Sequence, residues 1–212
     1  MTNLTNFNEA KLWMNRKLLN ANNVESLSGP GSYIENTQET INLINYTIEK
    51  YNIKSILDLG CGDWNWFKYI NTYDISYNGW DCNDIMIKSN KEKYGKNNIN
   101  FEVKDIVLED YMNVDLIICR DVLFHIDKSI AEKMLYKIKN KCKYFITTSY
   151  NDVKKNTNIK EYCNIKNWGF YNINLNLMPF NMHKYMIQSI NETNNTDKAN
   201  GYKRYINLYK FN

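Results

Sequence analysis

The sequence predicts an α/β fold, a doubly wound sheet of seven strands with helices on both faces. Short apolar segments recur along the chain, and segments with helical periodicity lie between most of them. Strands that are buried on both faces read as near-continuous apolar runs, and their alternation with helices is typical of a parallel sheet. Neither an internal repeat nor a linker divides the 212 residues, so we expect one domain.

Composition narrows the class of protein. Apolar residues make up 43% of the chain and aromatic residues 14%, as in a folded protein rather than a disordered one. The mean hydropathy of -0.60 and the lack of a long uncharged apolar run predict no membrane span. The first residues lack the features of a secretory signal. We therefore expect a cytoplasmic protein without membrane partners, acting as a monomer or a homodimer.

Charges and cysteines agree with this expectation. The net charge is +4 and the lysines are spread along the chain, which favours a solvated surface with a weak preference for anionic substrates. The five cysteines form no Cys-x-x-Cys pair, so we expect reduced thiols and no structural zinc.

The N-terminal half alternates helices with strands. A helix is predicted at 7–20, and a segment with two glycines and a proline at 28–32 then interrupts regular structure. A second helix begins at Asn36, because Asn36 and Glu39 have capping-box spacing and apolar residues follow at helical intervals. The next predicted elements are strands at 53–59, 75–81 and 99–103, with helices at 64–70 and 84–93.

The C-terminal half begins with the most apolar segment of the chain, Val114–Cys119, which is predicted to be the fourth strand. Asp127 is placed to cap the helix that follows. The apolar face of that helix consists of Ile130, Met134, Leu135 and Ile138. A fifth strand is expected at 144–148, and strands at 172–177 and 202–211 close the sheet.

Ligands of an open α/β sheet bind beyond the carboxyl ends of its strands, and the first of these ends carries two glycines. Gly60 and Gly62 permit a tight turn and a close approach of backbone to ligand. A dinucleotide site has a third glycine, where this chain has Asn65. Asp58, at the end of the strand, suits a ligand with an ammonium group better than a pyrophosphate. A turn that merely connects strand and helix is the alternative.

Two more carboxylates follow the next two strands. Asp81 lies about twenty residues beyond the glycines, where an acid can accept hydrogen bonds from both hydroxyls of a ribose. Asp105 follows the third strand, where a carboxylate can accept from an adenine amino group. A helix cap for Asp81 and a turn for Asp105 are the structural alternatives. The joint order of glycines and acids favours the binding roles.

This order resembles that of the class I methyltransferases that depend on S-adenosylmethionine (SAM). The resemblance is carried by Leu57-Asp58-Leu59-Gly60-Cys61-Gly62-Asp63, Asp81, Asp105 and Asp115-Leu116-Ile117-Ile118-Cys119. It implies a Rossmann-like sheet whose last strand is antiparallel, SAM as the cofactor and S-adenosylhomocysteine (SAH) as its product. The cofactor-binding residues that it implies are Asp58, Gly60, Cys61, Gly62, Trp64, Asp81, Asp105, Ile106 and Arg120.

A closer resemblance concerns short, poorly characterised methyltransferases from bacteria and giant viruses, some of them encoded near surface-polysaccharide genes. It implies an acceptor in carbohydrate modification, although a fold does not fix a substrate. The segments that carry it are Gly29-Pro30-Gly31-Ser32, Cys61-Gly62-Asp63-Trp64-Asn65-Trp66, Cys119-Arg120-Asp121-Val122-Leu123-Phe124-His125, Asn174-Leu175 and Pro179-Phe180.

Arg120, Asp121 and His125 follow the fourth strand and are the catalytic candidates. A neutral imidazole can take a proton from a hydroxyl as the methyl group is transferred. Asp121 and His125 are four residues apart, so on a helical turn they share a face and can form a hydrogen bond. The alternatives are a helix cap beside a packed histidine, or a divalent metal held together with Asp63 or Asp127. We favour a site without a metal.

We therefore expect a SAM-dependent methyltransferase that acts on a hydroxyl of a small polar acceptor, a sugar or nucleotide-linked sugar of surface-glycan biosynthesis. Its domain comprises an N-terminal helix and lid segment (1–36), a cofactor-binding core (37–150) and acceptor-side loops with the closing strands (151–212). The acceptor-binding candidates are Tyr33, Tyr150, Asn151 and Phe180. Transfer to nitrogen, transfer to a phosphoramidate or phosphate group, and SAM binding without catalysis are the alternatives.

Two other classes fit the sequence less well. A nicotinamide-dependent oxidoreductase needs a better phosphate loop and a Tyr–Lys hydride-site pair. A nucleic-acid methyltransferase usually carries an Asn/Asp-Pro-Pro-Tyr signature or a basic stripe. This chain has Cys119-Arg120-Asp121-Val122 where that signature is expected, so we predict no nucleic-acid partner.

Overall fold

A computed structural model describes residues 24–156, 171–199 and 201–212. The chain divides into two compact units, Met1–Glu109 and Asp110–Asn212. The helix predicted at 7–20 lies outside the described residues. Within them, no helix has both the length and the apolar character needed to cross a bilayer.

The predicted fold class is confirmed. The described residues contain a seven-stranded sheet with the strand order β3-β2-β1-β4-β5-β7-β6. The last strand of the sequence, β7, is antiparallel to both of its neighbours, and the other pairs described within each unit are parallel.

Between residues 24 and 109, the first unit has three parallel strands and two α-helices. Short 3-10 turns occur at Pro30–Ser32, Ile34–Asn36 and Phe67–Tyr69. The regular elements are α1 (Gln38–Tyr51), β1 (Ser55–Leu59), β2 (Ser76–Asp81), α2 (Asp84–Tyr94) and β3 (Ile99–Val103).

Helix α1 begins two residues later than its capping-box spacing suggests. Thr37 precedes the helix, and its hydroxyl donates back to the carbonyl oxygens of Tyr33 and Ile34. The preceding residues are already in a 3-10 turn, which shifts the start of the helix to Gln38. At the other end, Asn52 adopts a left-handed conformation (φ 51°), which asparagine tolerates well and which ends the helix.

The helix predicted at 64–70 is wrong; the structure has only the turn Phe67–Tyr69 there. Trp64 has a positive φ of 59°, which is incompatible with an α-helix. Its ring packs in an aromatic cluster against Phe67, Tyr77, Tyr94 and Phe101, at centroid distances of 4.8 to 5.5 Å. Burying these aromatic rings outweighs the local helical periodicity.

The described part of the second unit has four strands and two α-helices. Its regular elements are β4 (Val114–Cys119), α3 (Lys128–Lys139), β5 (Cys142–Ser149), β6 (Met186–Asn191), α4 (Asn195–Ala199) and β7 (Tyr205–Lys210). The predicted cap of α3 is confirmed, because the Asp127 carboxylate accepts from the backbone N–H of Ser129 at 2.9 Å. The helix buries Ala131, Met134, Leu135 and Ile138.

The strand predicted at 172–177 is wrong. Its asparagine side chains bond to loop backbone instead: the Asn174 amide donates to the carbonyl oxygens of Asn151 and Val153. Such side-chain bonds compete with the ladder of a sheet. The strand beside β7 is Met186–Asn191, in which partly covered and exposed residues alternate, so its apolar signal in the sequence is weak.

The aromatic cluster supplies a test of what stabilises the first unit. Phe67 is fully buried, and Phe67→Ala is expected to lower the free energy of unfolding by about 3–5 kcal/mol, because a large cavity remains. Urea unfolding monitored by circular dichroism measures this change. Tyr69→Ala, in the same turn but 57% exposed, is the matched control and should leave stability close to that of the parent. Equal losses in both variants would contradict a core role for the cluster.

Candidate functional site

The carboxyl ends of the parallel strands in the first unit lie at one edge. Leu59 of β1 is in register with Trp80 of β2, and Asp81 is in register with Val103 of β3. The residues that directly follow these strands therefore come together, as predicted for a ligand-binding edge.

Asp58 is buried and bonded within the core. Its carboxylate accepts from the phenol of Tyr77 at 2.8 Å, and the residue is 2% exposed. Burial and the charge of Asp58 raise the pKa of the Tyr77 phenol well above its usual value. The hydroxyl thus stays protonated and donates to Asp58. The predicted contact of Asp58 with a ligand ammonium group remains a prediction.

Asp81 ends β2 with its carboxylate between two backbone donors. Oδ2 accepts from the N–H of Gly62 and Oδ1 from the N–H of Asn83, both at 2.9 Å. Burial raises the pKa of the Asp81 carboxyl, and these bonds offset the rise only in part. Asn83, rather than Asp81, caps α2 through its side chain. The helix-cap alternative for Asp81 is therefore wrong.

Asp105 lies in the turn after β3. Its side chain accepts from the N–H of Val107, while its carbonyl oxygen accepts from Leu108 and Glu109. Asp105 is half-buried, as is Ile106. Cys82, which follows Asp81, is close enough to both acids that their charges help burial to raise the pKa of its thiol. The two predicted nucleoside-binding acids are thus neighbours at this edge.

The glycine loop makes a tight turn, and the side chain of Ser28 packs against it. Gly60 and Gly62 have φ values of 83° and 57°, which favour glycine. A Cβ at Gly62 would lie 2.2 Å from Oγ of Ser28, so its missing side chain makes room for Ser28. Cys61, between the two glycines, is buried, and the ring of Trp64 packs in the aromatic cluster. For Trp64 this favours a supporting role over direct contact with a ligand.

A segment before the first helix docks on this loop, which the sequence did not predict. The Asp63 carboxylate accepts from the hydroxyls of Ser26 and Ser28 and from the N–H of Leu27, at 2.6 to 3.1 Å. The Asn65 amide donates to Glu25 Oε1 at 2.9 Å. Asn65, in place of the third glycine, thus anchors the chain around residues 25–32. The available signal was the serine pair next to Gly29.

In the second unit, Asp121 follows β4 with a positive φ of 55°. Its Oδ1 accepts from the Thr148 hydroxyl at 2.8 Å, and its Oδ2 contacts Arg204 Nη1 at 2.8 Å and Arg120 Nη1 at 3.0 Å. Burial alone would raise the pKa of the Asp121 carboxyl, but the two arginines and Thr148 lower it below its usual value. Asp121 is therefore ionised at neutral pH and is a weak base.

Arg204 is the centre of a buried ion network. Its Nε lies 3.2 Å from Asp197 Oδ2, and it also donates to the carbonyl oxygen of Glu192. Arg120 contacts the Glu192 carboxylate at 2.9 Å, and both arginine side chains are 3% exposed. The Tyr150 phenol donates to Asp197 at 3.1 Å. The sequence pointed to Arg120 and Tyr150 but not to Arg204, Glu192 or Asp197, which are distant along the chain and carry no local pattern.

His125 ends a 3-10 turn, Leu123–His125, and is half-buried. Its ring lies edge-on to that of Phe124, with centroids 4.4 Å apart. The charge of His125 is the last of several influences that lower the pKa of Asp121, after those of the arginines and Thr148. The structure thus places His125 near Asp121. The carboxylate, however, is oriented mainly by Arg204, Arg120 and Thr148.

The acceptor-binding candidates have different surroundings. Tyr33 is half-buried between the turns Pro30–Ser32 and Ile34–Asn36. Tyr150 is 2% exposed and Phe180 is 4% exposed, so both belong to the core of the second unit. Asn151 donates to Ser189 and Asn207. Their roles toward an acceptor remain predictions.

The residues considered for a metal have other partners. Asp63 holds the serine segment and Asp127 caps α3. Throughout the described parts of the chain, no three His, Cys, Asp or Glu side chains are grouped as a metal site requires. The four cysteines that the structure describes form no disulfide with one another.

Several known proteins with a similar sequence or fold are methyltransferases. Residues 56–144 match the family model of a methyltransferase domain. A phosphoethanolamine N-methyltransferase from Plasmodium falciparum (isolate 3D7) is 33% identical over 94 residues, which cover 42% of this chain and 35% of that protein. The chain thus matches about a third of the length of this relative.

Two solved structures extend the likeness over most of the chain. The N-methyltransferase NodS from Bradyrhizobium japonicum WM9, in complex with SAH, has a TM-score of 0.68 at 11% identity, covering 95% of this chain and 97% of that one. Magnesium protoporphyrin IX methyltransferase from Synechocystis PCC 6803, with bound SAM, has a TM-score of 0.61 at 15% identity, covering 84% and 80%. Such identities establish the fold alone.

The ion network yields a stability prediction. Arg204→Met leaves three buried carboxylates short of positive charge and should lower the free energy of unfolding by about 3–5 kcal/mol at neutral pH. Denaturant unfolding at several pH values measures the loss. The pKa of Asp121 is lower in the folded state than in the unfolded chain. Its contribution to the stability of the folded state is therefore complete above the ordinary carboxyl pKa, and it is lost as the pH falls through the folded-state pKa.

The difference in the free energy of unfolding between the parent and Arg204→Met should therefore shrink progressively below about pH 4. Lys210→Met, at the exposed end of the strand that follows Arg204, removes one positive charge outside the network and is the control. If Arg204→Met and Lys210→Met unfold alike at neutral pH, the network does not stabilise the unit.

Proposed function

We propose that the protein is a SAM-dependent methyltransferase and that it binds SAM through the edge of its first unit. The proposal is supported by the match of residues 56–144 to the family model of a methyltransferase domain and by the similarity of the fold to that of a methyltransferase solved with SAH. The acceptor is a small polar molecule, and the methylated atom is a hydroxyl oxygen, as in a sugar or nucleotide-linked sugar. The observation that carries the proposal is the position and surroundings of Asp81.

The donor set at this edge fits the nucleoside of SAM. A carboxylate has about four lone-pair sites. At Asp81 the N–H groups of Gly62 and Asn83 use one site on each oxygen, and the neighbouring Cys82 also donates to this carboxylate. The Cys82 thiol is only a weak donor, so this carboxylate suits the two adjacent hydroxyls of a ribose. Asp105, next to Cys82, offers a second carboxylate for an amino group.

Each part of the chain has a distinct task in this proposal. The glycine loop supplies the N–H of Gly62 that orients Asp81, and Asp81 orients the nucleoside. SAM supplies a methyl carbon that its sulfonium already activates, so the protein mainly aligns the reactants and excludes water.

On the acceptor side, His125 is the better proton acceptor. Asp121 is held ionised by Arg120 and Arg204, and its lowered pKa makes it a poor base. A neutral imidazole takes up a proton near physiological pH. We propose that His125 accepts the proton of the acceptor hydroxyl, while Asp121 stabilises the charged imidazole.

Transfer to an amine nitrogen is the second candidate. Two of the similar proteins are named N-methyltransferases. The anionic Asp121 would accept a hydrogen bond from an amine, and an unprotonated amine can react without a strong base. A pH profile of transfer, measured with each acceptor class, separates the two candidates.

Calorimetric titration with SAM and with SAH tests the cofactor. The parent should bind both, and Asp81→Asn should bind SAM at least about tenfold more weakly, because an amide cannot accept from both hydroxyls. Asp84→Asn, an exposed carboxylate in the first turn of α2, is the matched control and should keep the parental affinity. Failure of the folded parent to bind either compound would overturn the proposal, and parental affinity in Asp81→Asn would remove Asp81 from the site.

A screen for SAH release with sugars, nucleotide sugars and amines then tests the base. With a hydroxyl acceptor, His125→Gln should lower kcat about a hundredfold or more and leave SAM affinity unchanged. His183→Gln changes the other histidine of the chain, which is exposed, and serves as the control. Full activity of His125→Gln on a hydroxyl acceptor would contradict the role of His125.

A further inference from the structure

The connection between β6 and β7 borders a surface cleft that the proposed function does not use. The cleft has a volume of about 470 Å³. Its lining residues are Asn191, Thr193, Lys198, Gly201, Tyr202 and Lys203. All of them belong to the second unit.

The connection is fixed at the carboxyl end of β5. Strand β7 starts with Tyr205, which is in register with Ser149, the last residue of β5. The buried ion network ties both ends of the connection, since Arg204 contacts Asp121 and Glu192 contacts Arg120. The cleft is therefore built on a fixed scaffold at the edge where open α/β sheets bind ligands.

The cleft offers several hydrogen-bond donors. Lys198 and Lys203 contribute ammonium groups, Tyr202 a hydroxyl and Asn191 an amide. None of the six lining residues that the structure describes is acidic. The nearest partner of Lys203 is Asp152, at 3.8 Å and with both side chains more than half exposed, a pair too weak to compete with a bound anion.

The shape of the cleft leaves room for a ring beside the anion. Gly201 has a positive φ of 73°, and nothing lies within 4 Å of the point where its Cβ would be. The Tyr202 ring is 42% exposed and meets the Tyr150 ring edge-on, with centroids 6.3 Å apart. The partly exposed ring of Tyr202 can therefore pack against a sugar or a base.

We propose that this cleft binds the phosphate group of a phosphorylated methyl acceptor, an assignment that rests on the proposed function. A phosphate monoester carries up to two negative charges and three strongly accepting oxygens. Two ammonium groups together with two neutral donors match that charge and that number of acceptors. An uncharged sugar would bring no anion to the two ammonium groups of the cleft.

The test compares three probes by titration calorimetry at constant ionic strength: glucose 1-phosphate, inorganic phosphate and glucose. The parent should bind glucose 1-phosphate more tightly than inorganic phosphate, and glucose not measurably. The double variant Lys198→Gln/Lys203→Gln should weaken binding of glucose 1-phosphate at least tenfold and leave SAM affinity within twofold. Lys133→Gln/Lys210→Gln removes the same charge from exposed positions elsewhere in the unit and should bind as the parent does.

Several outcomes would overturn the proposal. Equal weakening by both double variants would mean an effect of net charge alone, and equal affinity for inorganic phosphate and the ester would mean a site for free anions rather than for an acceptor. If the parent binds SAM but does not bind glucose 1-phosphate, the assignment of the cleft is wrong and the proposed function stands. Absence of SAM binding would reject the proposed function and, with it, the assignment of the cleft to a methyl acceptor.

Discussion

Carboxylates buried at or just beyond strand ends impose the main constraint on this protein, because a charge removed from water must be hydrogen-bonded or paired. The carboxylate of Asp58 accepts a hydrogen bond from a phenol, and that of Asp81 accepts from two backbone N–H groups. The carboxylate of Asp121 forms ion pairs with two guanidinium groups. The donors to Asp81 and Asp121 also fix the loops that carry them. The N–H of Gly62 holds the glycine loop against the end of β2. Arg204, 83 residues from Asp121 in the chain, holds the start of β7 beside the residue that follows β4.

A buried carboxylate can be stabilised by neutral hydrogen-bond donors or by cations, and the choice determines what the group can do. Neutral donors leave the charge of Asp81 in place, and its raised pKa is the sign that burial costs folding free energy. Such a group gains from further hydroxyl donors, which a nucleoside brings. At Asp121 the cations compensate the charge, and the lowered pKa removes its value as a base. The proposed division of roles between Asp121 and His125 rests on this difference rather than on their spacing of four residues.

The sequence predicted best the elements that a local residue pattern specifies. Strands β3 and β4 have the predicted bounds, and Asp127 caps α3 as expected. The failures have a common cause, since long-range contacts override the local pattern. At Trp64 the aromatic core prevents a helix, and at Asn174 side-chain bonds to loop backbone prevent a strand. Arg204 could not be predicted as a site residue because its partners lie far away along the chain, and a buried arginine has no sequence signature of its own.

The loop lacks the third glycine of dinucleotide sites, and this affects which ligand can bind there. A pyrophosphate needs open space above the loop and the N-terminus of a helix directly after it. Here Ser28 fills the space that Gly62 leaves, and the turn Phe67–Tyr69 stands where an α-helix would begin. The Asn65 amide is bonded to Glu25 and so strengthens the docked segment. The polar capacity of this edge therefore lies in Asp81 rather than in the loop, which suits a nucleoside with free hydroxyls and no phosphate, as SAM is, and disfavours a dinucleotide.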